Sequence, residues 1–326
     1  MKVYSAAAVE RRLPYPKLVE ALRVAFRNDI QTAIRSFYAI DTPSGMRATY
    51  GLMSAWQAGE VIATKLVTVF PDNAARQLPT IHAQIVLFDG KSGVPAAIID
   101  GTEITRRRTA AASALASTYL AREDARELLV LGTGPQAFHQ ALAHAAVRPI
   151  SRIHVWGRSP ARVAALVQSL RQYNRENEST RAPRVETAED LESAARGVDI
   201  ISCATSAAVP LIEGRWLKPG SFLDLVGSHS PERRESDDEA VRRSNIYVDT
   251  LEGALAEAGD LLIPMKSAVI GKSDIRGDLH SLCRNQVGGR TTGDEITLFK
   301  SVGTAVEDLA AAKLVYDSDS DDTPAA

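Results

Sequence analysis

Ten consecutive residues, Leu128-Leu129-Val130-Leu131-Gly132-Thr133-Gly134-Pro135-Gln136-Ala137, constrain the fold of this chain more than any other stretch. An apolar strand runs into G-x-G-x-x-A, and the Ala-rich segment Phe138 to Val147 behind it is compatible with a helix. A dinucleotide pyrophosphate requires strand, glycine turn and helix in that order. Gly132 permits the tight turn, Gly134 lets backbone approach the phosphates, and Ala137 is small enough for helix to pack on strand. The helix N-terminus then offers free N–H groups and the positive end of its dipole to the anion. Pro135 suits the first helical turn, where its missing N–H costs nothing. The same motif occurs by chance in ordinary strand-to-helix turns; the strand before it and the helix after it favour a nucleotide site. Gly132, Thr133, Gly134, Pro135, Gln136 and Ala137 are therefore the expected cofactor loop.

The rest of the pattern separates into two regimes. Near the N-terminus, Leu18, Val19, Leu22, Ala25 and Phe26 sit at helical spacing within 15–30. Strand-like runs follow at 47–52, 61–70, 80–88 and 94–99, the last two joined by the turn Asp89-Gly90-Lys91-Ser92-Gly93. Strands without intervening helices predict an antiparallel sheet. A long Ala-rich helix is expected over 103–121. Beyond it, strands at 127–131, 152–156, 198–203, 221–226 and 245–248 alternate with helices, including 160–173 and 188–195. That alternation predicts a doubly wound parallel sheet. A final helix at about 299–314, with Asp294 and Glu295 as capping residues, is expected to return to the first domain. The fold class is thus α/β: a Rossmann-type doubly wound domain at 122–299, and a discontinuous α+β domain at 1–121 and 300–326.

The second strand of the parallel sheet decides which dinucleotide is expected. An acid about 20 residues past the glycines would bind a ribose 2′-hydroxyl. Here Arg152-Ile153-His154-Val155-Trp156 is followed by Gly157-Arg158-Ser159-Pro160-Ala161-Arg162, with no acid. Arg158, Ser159 and Arg162 suit a 2′-phosphate, because a guanidinium fork and a hydroxyl match a phosphate dianion. The expected cofactor is NADP, with NADPH preferred and NADH also used. The competing reading makes Arg158 and Arg162 solvated charges at a helix start. Loops leaving later strands line the same crevice in such sheets. Thr205, Val226, Gly227 and Ser228 are candidate cofactor contacts on that ground.

Composition excludes several classes. The net charge of −2 offers no global attraction to nucleic acid. No apolar run reaches the length of a membrane span, and Met1-Lys2-Val3-Tyr4 lacks the apolar core of a signal peptide. Cys203 and Cys283 are far apart and form no C-x-x-C, so reduced thiols, a cytoplasmic setting and no metal site are expected. Cys203 reads as buried packing. The acidic run from Asp317 to Asp322 reads as a disordered solvated tail.

Several segments together carry a resemblance. They are Met46-Arg47-Ala48, Thr64-Lys65-Leu66, Leu78-Pro79-Thr80-Ile81-His82, Arg108-Thr109-Ala110-Ala111-Ala112-Ser113, and the glycine loop. After them come Val226-Gly227-Ser228-His229-Ser230-Pro231, Glu295-Ile296-Thr297-Leu298-Phe299-Lys300-Ser301-Val302-Gly303, and Glu307-Asp308-Leu309-Ala310-Ala311-Ala312. In this order, over nearly the full length, they resemble the ornithine cyclodeaminase/mu-crystallin family. The resemblance implies a homodimer formed by the discontinuous domain and a substrate pocket between the domains. It also implies a basic trio for the substrate carboxylate, at Arg47, Lys65 and Arg108. Thr80 matches a position near substrate, although a structural strand threonine fits as well. Lys300 and Ser301 match a segment near the nicotinamide, with an exposed helix-start charge as the other reading of Lys300. His82 stands either in the pocket or in the core.

One departure shifts the expected chemistry. Cyclodeaminases of the family carry an Asp where this chain has His229, so an anionic partner for an amine is missing. The resemblance then implies reduction of a cyclic imino acid, Δ1-pyrroline-2-carboxylate or Δ1-piperideine-2-carboxylate, with Lys65 as candidate proton donor. An amino-acid dehydrogenase of the alanine dehydrogenase type and a ligand-binding protein of the crystallin type are the alternatives. The expected partner is a small imino or amino acid.

Overall fold

The computed structural model describes residues 1–177, 182–228 and 230–318. The chain forms two compact units: Met1–Arg108 with Thr304–Ala326, and Thr109–Gly303. This division falls inside a helix, where the sequence pattern suggests a break near residue 121.

The first unit comprises β1 (Lys2–Tyr4), α1 (Ala6–Arg12), α2 (Tyr15–Arg27), β2 (Gln31–Thr32), β3 (Ser36–Asp41), β4 (Arg47–Gln57), β5 (Val61–Val69), β6 (Ile81–Asp89) and β7 (Pro95–Asp100). The strands run β1-β7-β6-β5-β4-β2, with β3 also paired to β4. All pairs are antiparallel except β1 with β7, as expected where strands follow one another without crossover helices. Lys65 lies opposite Met53 and Ile85, so these three share a face. The C-terminal helix Ala305–Asp317 crosses that face over β4, β5 and β6, and α2 packs on the helix. All of its first eight residues are buried, as a helix covered on two sides demands. The opposite face of the sheet carries Leu52, Trp56, Ile62, Leu66, Val86 and Phe88, all half-buried.

The second unit is entered through α3 (Gly101–Leu120). It continues β8 (Glu127–Leu131), α4 (Pro135–Val147), β9 (Arg152–Trp156), α5 (Pro160–Glu176), β10 (Arg184–Thr187), α6 (Leu191–Gly197), β11 (Ile200–Cys203), β12 (Phe222–Leu225) and α7 (Asp238–Arg242). It ends with β13 (Asn245–Val248), α8 (Leu251–Glu257), α9 (Gly259–Lys266), β14 (Ile275–Asp278), α10 (Leu279–Cys283) and β15 (Thr297–Lys300). The sheet runs β10-β9-β8-β11-β12-β15-β13-β14 and every pair is parallel. Strand order reverses between β8 and β11, the switch point at which such sheets bind ligands. Buried Asp224 on β12 holds the layers together. It accepts hydrogen bonds from Ser113 Oγ at 2.8 Å, Ser202 Oγ at 2.6 Å and the His144 ring at 3.1 Å.

Three expectations are corrected. Residues 297–300 form a central strand rather than a helix start, because Thr-Leu-Phe-Lys is buried between two parallel neighbours. The helix begins only at Ala305, capped by Thr304; Glu295 instead closes a turn on the N–H groups of Thr291 and Thr292. That helix runs through Asp317, which is ion-paired with Lys313; residues 319–322 of the acidic run lie outside the described residues. Cys203 and Cys283 are free and buried. Among the described residues, no helix is long and apolar enough to cross a membrane.

Candidate functional site

The glycine loop leaves β8 at the switch point. Gly132 has φ +117°, and a Cβ there would lie 2.4 Å from the Ala204 carbonyl oxygen at the end of β11. Only glycine meets both conditions. Gly134 is the N-cap of α4, is exposed, and has open space where a Cβ would stand. No side chain caps this helix and no acid occupies its first turn. Ala137 is fully buried beneath the turn. The uncapped N-terminus of α4, with the positive end of its dipole, is thus presented to an anion by sequence and geometry together. A Cβ on Gly157 would meet Thr133 Cγ2 at 2.7 Å, so the loop after β9 is pressed against the glycine loop. Beyond it stand Arg158 and Arg162, both exposed, and Ser159, the N-cap of α5, whose side chain makes no capping bond. Neither arginine is ion-paired among the described residues. These residues fit a dinucleotide with an anionic ribose substituent.

The remaining crevice candidates are held from within the protein. Thr205 donates its N–H and its hydroxyl to Glu235 Oε1 at 2.8 and 2.7 Å, and Gly227 N–H donates to Glu235 Oε2 at 2.7 Å. Val226 is buried, and Ser228 Oγ donates to the Arg233 carbonyl. Ser301 Oγ, with the N–H groups of Val302 and Gly303, binds Asp249 Oδ2. Lys300 is not an exposed helix-start charge: it is fully buried at the end of β15, with Nζ 3.1 Å from Asp260 Oδ2. Burial, with Asp260 nearby and against the pull of Lys300, pushes the Glu235 carboxyl up to about 7. Burial likewise pushes the Cys203 thiol up, which leaves it inert. Glu235, Asp249 and Asp260 were not legible as site residues. Glu235 is one acid in a charged run, and Asp249 and Asp260 are single acids beside apolar strand and helix residues, so no local signal marks them.

The first unit gathers a second cluster. Lys65 Nζ lies 2.7 Å from Asp308 Oδ2; Arg108 Nε lies 2.9 Å from Asp308 Oδ1 and its Nη1 2.5 Å from Glu307 Oε2. None of the four side chains is more than 6 % exposed. Burial lowers the Lys65 pKa to about 8, with Asp308 acting in the opposite direction and Arg108 adding to the fall. The Asp308 carboxyl is held below its ordinary value: burial would raise it, but Arg108 and Lys65 together prevail. The helical geometry of α3 explains why Arg108 alone of three successive arginines joins this cluster. Arg107 is bound to Glu103, Glu10 and the Leu13 carbonyl, and Arg106 reaches Glu103.

Arg47 is not brought to this cluster. It is 78 % exposed, 3.7 Å from Asp41. It begins β4 six residues from Met53, the partner of Lys65, a distance of about 20 Å along the strand. Thr80 is half-buried at the same end of the sheet, its carbonyl accepting from Phe70 N–H. His82 is exposed rather than part of the core. His229 lies outside the described residues.

An uncapped glycine turn at the switch point of an eight-stranded parallel sheet defines a dinucleotide-binding protein. The ornithine cyclodeaminase/mu-crystallin family model matches residues 1–323, and the chain belongs to that family. It is 37% identical over 321 residues to the Δ(1)-pyrroline-2-carboxylate reductase of Colwellia psychrerythraea, covering 97% of this chain and 99% of that one. Among solved structures it is similar to Thermococcus litoralis Δ(1)-pyrroline-2-carboxylate reductase in complex with NADH and L-proline. There the TM-score is 0.89 at 32% identity, covering 98% of each chain. It is also similar to an archaeal alanine dehydrogenase dimer with bound NAD, with a TM-score of 0.88 at 26% identity, covering 100% of this chain and 98% of that one.

The Lys65 environment makes a direct prediction. A titration of the lysine ζ-nitrogen signals by NMR should show Lys65 losing its proton near pH 8. Asp308→Asn removes the group that holds that proton and should move the midpoint lower still. A Lys65 midpoint near the ordinary lysine value would contradict the buried ion cluster.

Proposed function

We propose that this protein reduces a cyclic imino acid, converting Δ1-pyrroline-2-carboxylate to L-proline and its six-membered homologue to L-pipecolate, with NADPH as preferred cofactor. The protein is an NAD(P)H-dependent oxidoreductase acting on a CH–NH bond. The observation that carries the substrate reading is the Lys65–Arg108–Glu307–Asp308 cluster, in a chain similar over its whole length to a pyrroline-2-carboxylate reductase.

Two cations and two carboxylates make a site of both signs with no net charge. A cyclic imino acid protonated on nitrogen is likewise a zwitterion, a carboxylate beside an iminium. Exchanging one neutral pattern of charges for another avoids leaving a buried charge unpaired. In this reading Lys65 and Arg108 grip the substrate carboxylate, and Asp308 faces the iminium N–H. Arg47, exposed and far along its strand, is left out of the grip, and the geometry gives Thr80 no part in it. The nicotinamide, when bound, supplies a hydride to the imine carbon. The ring nitrogen must carry a proton for that carbon to be a good electrophile. Where the imine arrives unprotonated, Lys65 Nζ, with its pKa lowered to about 8, holds a proton near neutral pH and can pass it to that nitrogen. Orientation of the carboxylate supplies most of the remaining acceleration.

The glycine loop Gly132–Ala137 would hold the pyrophosphate, with Arg158, Ser159 and Arg162 around the ribose 2′-position. The solved relatives hold NADH and NAD, so the preference for NADPH rests on those three residues alone. The half-exposed apolar face of the first unit's sheet supports a homodimer, as does the likeness to an alanine dehydrogenase dimer.

Nicotinamide absorbance should fall when the protein and NADPH meet pyrroline-2-carboxylate, and turnover should decline as pH rises through about 8, where Lys65 loses its proton. Consumption only with pyruvate and ammonia would replace this reading with an alanine dehydrogenase, and no consumption with either would end it. Arg158→Ala combined with Arg162→Ala should raise the KM for NADPH about tenfold or more, leaving that for NADH within about twofold. Equal effects on both cofactors would remove the 2′-phosphate reading. Light scattering should give twice the chain mass; a single chain mass at micromolar concentration would exclude the dimer.

A further inference from the structure

The segment Ser230–Glu235 runs as a strap behind two loops of the crevice. One loop leaves β11 through Thr205 and the other leaves β12 through Gly227. They approach so closely that a Cβ on Gly227 would stand 1.9 Å from the Thr205 carbonyl oxygen. Glu235 joins them, one carboxylate oxygen taking both donors of Thr205 and the other the Gly227 N–H. The Thr205 hydroxyl in turn accepts from Ala207 N–H at 3.2 Å, which carries the constraint further along the loop. Arg233 reaches the Ser206 carbonyl at 3.3 Å and takes the Ser228 hydroxyl on its own carbonyl, so the strap grips both loops twice.

The strap is itself anchored. Glu235 and Ser236 donate their N–H groups to Asp260 Oδ1 at 2.7 and 3.2 Å, and Asp260 Oδ2 pairs with Lys300. Gly259 lies so close to the strap that a Cβ there would fall 2.1 Å from the Arg233 carbonyl oxygen. Glu235, Asp260 and Lys300 are all fully buried. A buried carboxylate with three donors aimed at it cannot be replaced by an amide of the same shape. The amide nitrogen would face one of those donors.

We propose that Glu235 is a positioning residue for the nicotinamide cofactor, its carboxylate fixing the Thr205 and Gly227 backbone at the crevice in the conformation the cofactor binds. This rests on the cofactor reading above. Its bonds end on loops at the carboxyl edge of the sheet rather than on the hydrophobic core. Their loss therefore costs preorganisation of the crevice more than it costs the fold.

The test compares wild type, Glu235→Gln and Thr205→Val, the last removing the hydroxyl that donates to Glu235 and accepts from Ala207 N–H while keeping the backbone bond to Glu235. Binding of NADPH and NADH is followed by nicotinamide fluorescence, and KM is measured for each substrate. Glu235→Gln should weaken both reduced cofactors about tenfold or more, with the imino-acid KM at saturating cofactor within about twofold of wild type. Thr205→Val should move cofactor binding the same way by about threefold. Unchanged cofactor binding in Glu235→Gln overturns the proposal, as does an equal rise in KM for cofactor and imino acid. If Glu235→Gln does not fold, Thr205→Val decides, and cofactor binding at the wild-type level overturns it. A wild-type protein that binds neither nicotinamide instead sinks the cofactor reading on which the proposal stands.

Discussion

Asp308 is the interaction on which the first unit turns. Its carboxylate meets Lys65 from the middle of the sheet and Arg108 from within α3, while riding on the helix that covers the sheet. Three elements distant in sequence are locked by one side chain of two oxygens. Bringing four charges out of water is expensive, and the cluster repays this only because every charge has an opposite neighbour in contact. Losing one member leaves an uncompensated charge in the interior, a penalty of about 3–5 kcal/mol. The same arrangement gives the cluster its chemistry. A lysine pressed to a pKa near 8 beside a carboxylate held ionised is a proton donor poised at neutral pH.

The second unit solves a different problem by the same means. Parallel strands end at one edge, and the loops leaving them carry backbone donors that the strand ladders satisfy only in part. Buried carboxylates collect donors there: Glu235 for the loops after β11 and β12 and Asp249 for the loop after β15, while Asp224 takes hydroxyls from α3 and β11. The loop after β8 is left open. Gly134 and the first turn of α4 have neither capping side chain nor acid. The N-terminus of α4, uncapped and free of acid, is where the crevice offers an anion the positive end of a helix dipole.

Legibility followed the range of the interaction. Strands 127–131, 152–156 and 245–248 were readable to the residue, because apolar or alternating runs of four or five residues bounded by polar and turn residues are too short for a helix. The glycine loop was readable because its demands concern backbone conformation and close approach, both imposed on the residue itself. β15 was misread as a helix start, since four buried residues flanked by polar ones carry no period of their own. Lys300 went wrong with it: a lysine in a supposed helix start reads as a solvated charge, whereas the end of a central strand is dry. Arg47 was grouped with Lys65 and Arg108 by motif, and separation along a strand is invisible to a motif.

By itself the sequence determined the parallel sheet, the pyrophosphate loop, the acid-free second strand and the antiparallel sheet, each a local pattern of periodicity or backbone conformation. Only the tertiary structure decided which charges meet. It chose Arg108 over its two arginine neighbours, paired Lys65 with a helix some 240 residues further along, and turned Glu235, Asp249 and Asp260 from unremarked acids into the pins of the crevice. Electrostatics in a dry interior depends on distances across the fold. Those distances are set by how helices and sheets pack, a property that no stretch of sequence carries alone.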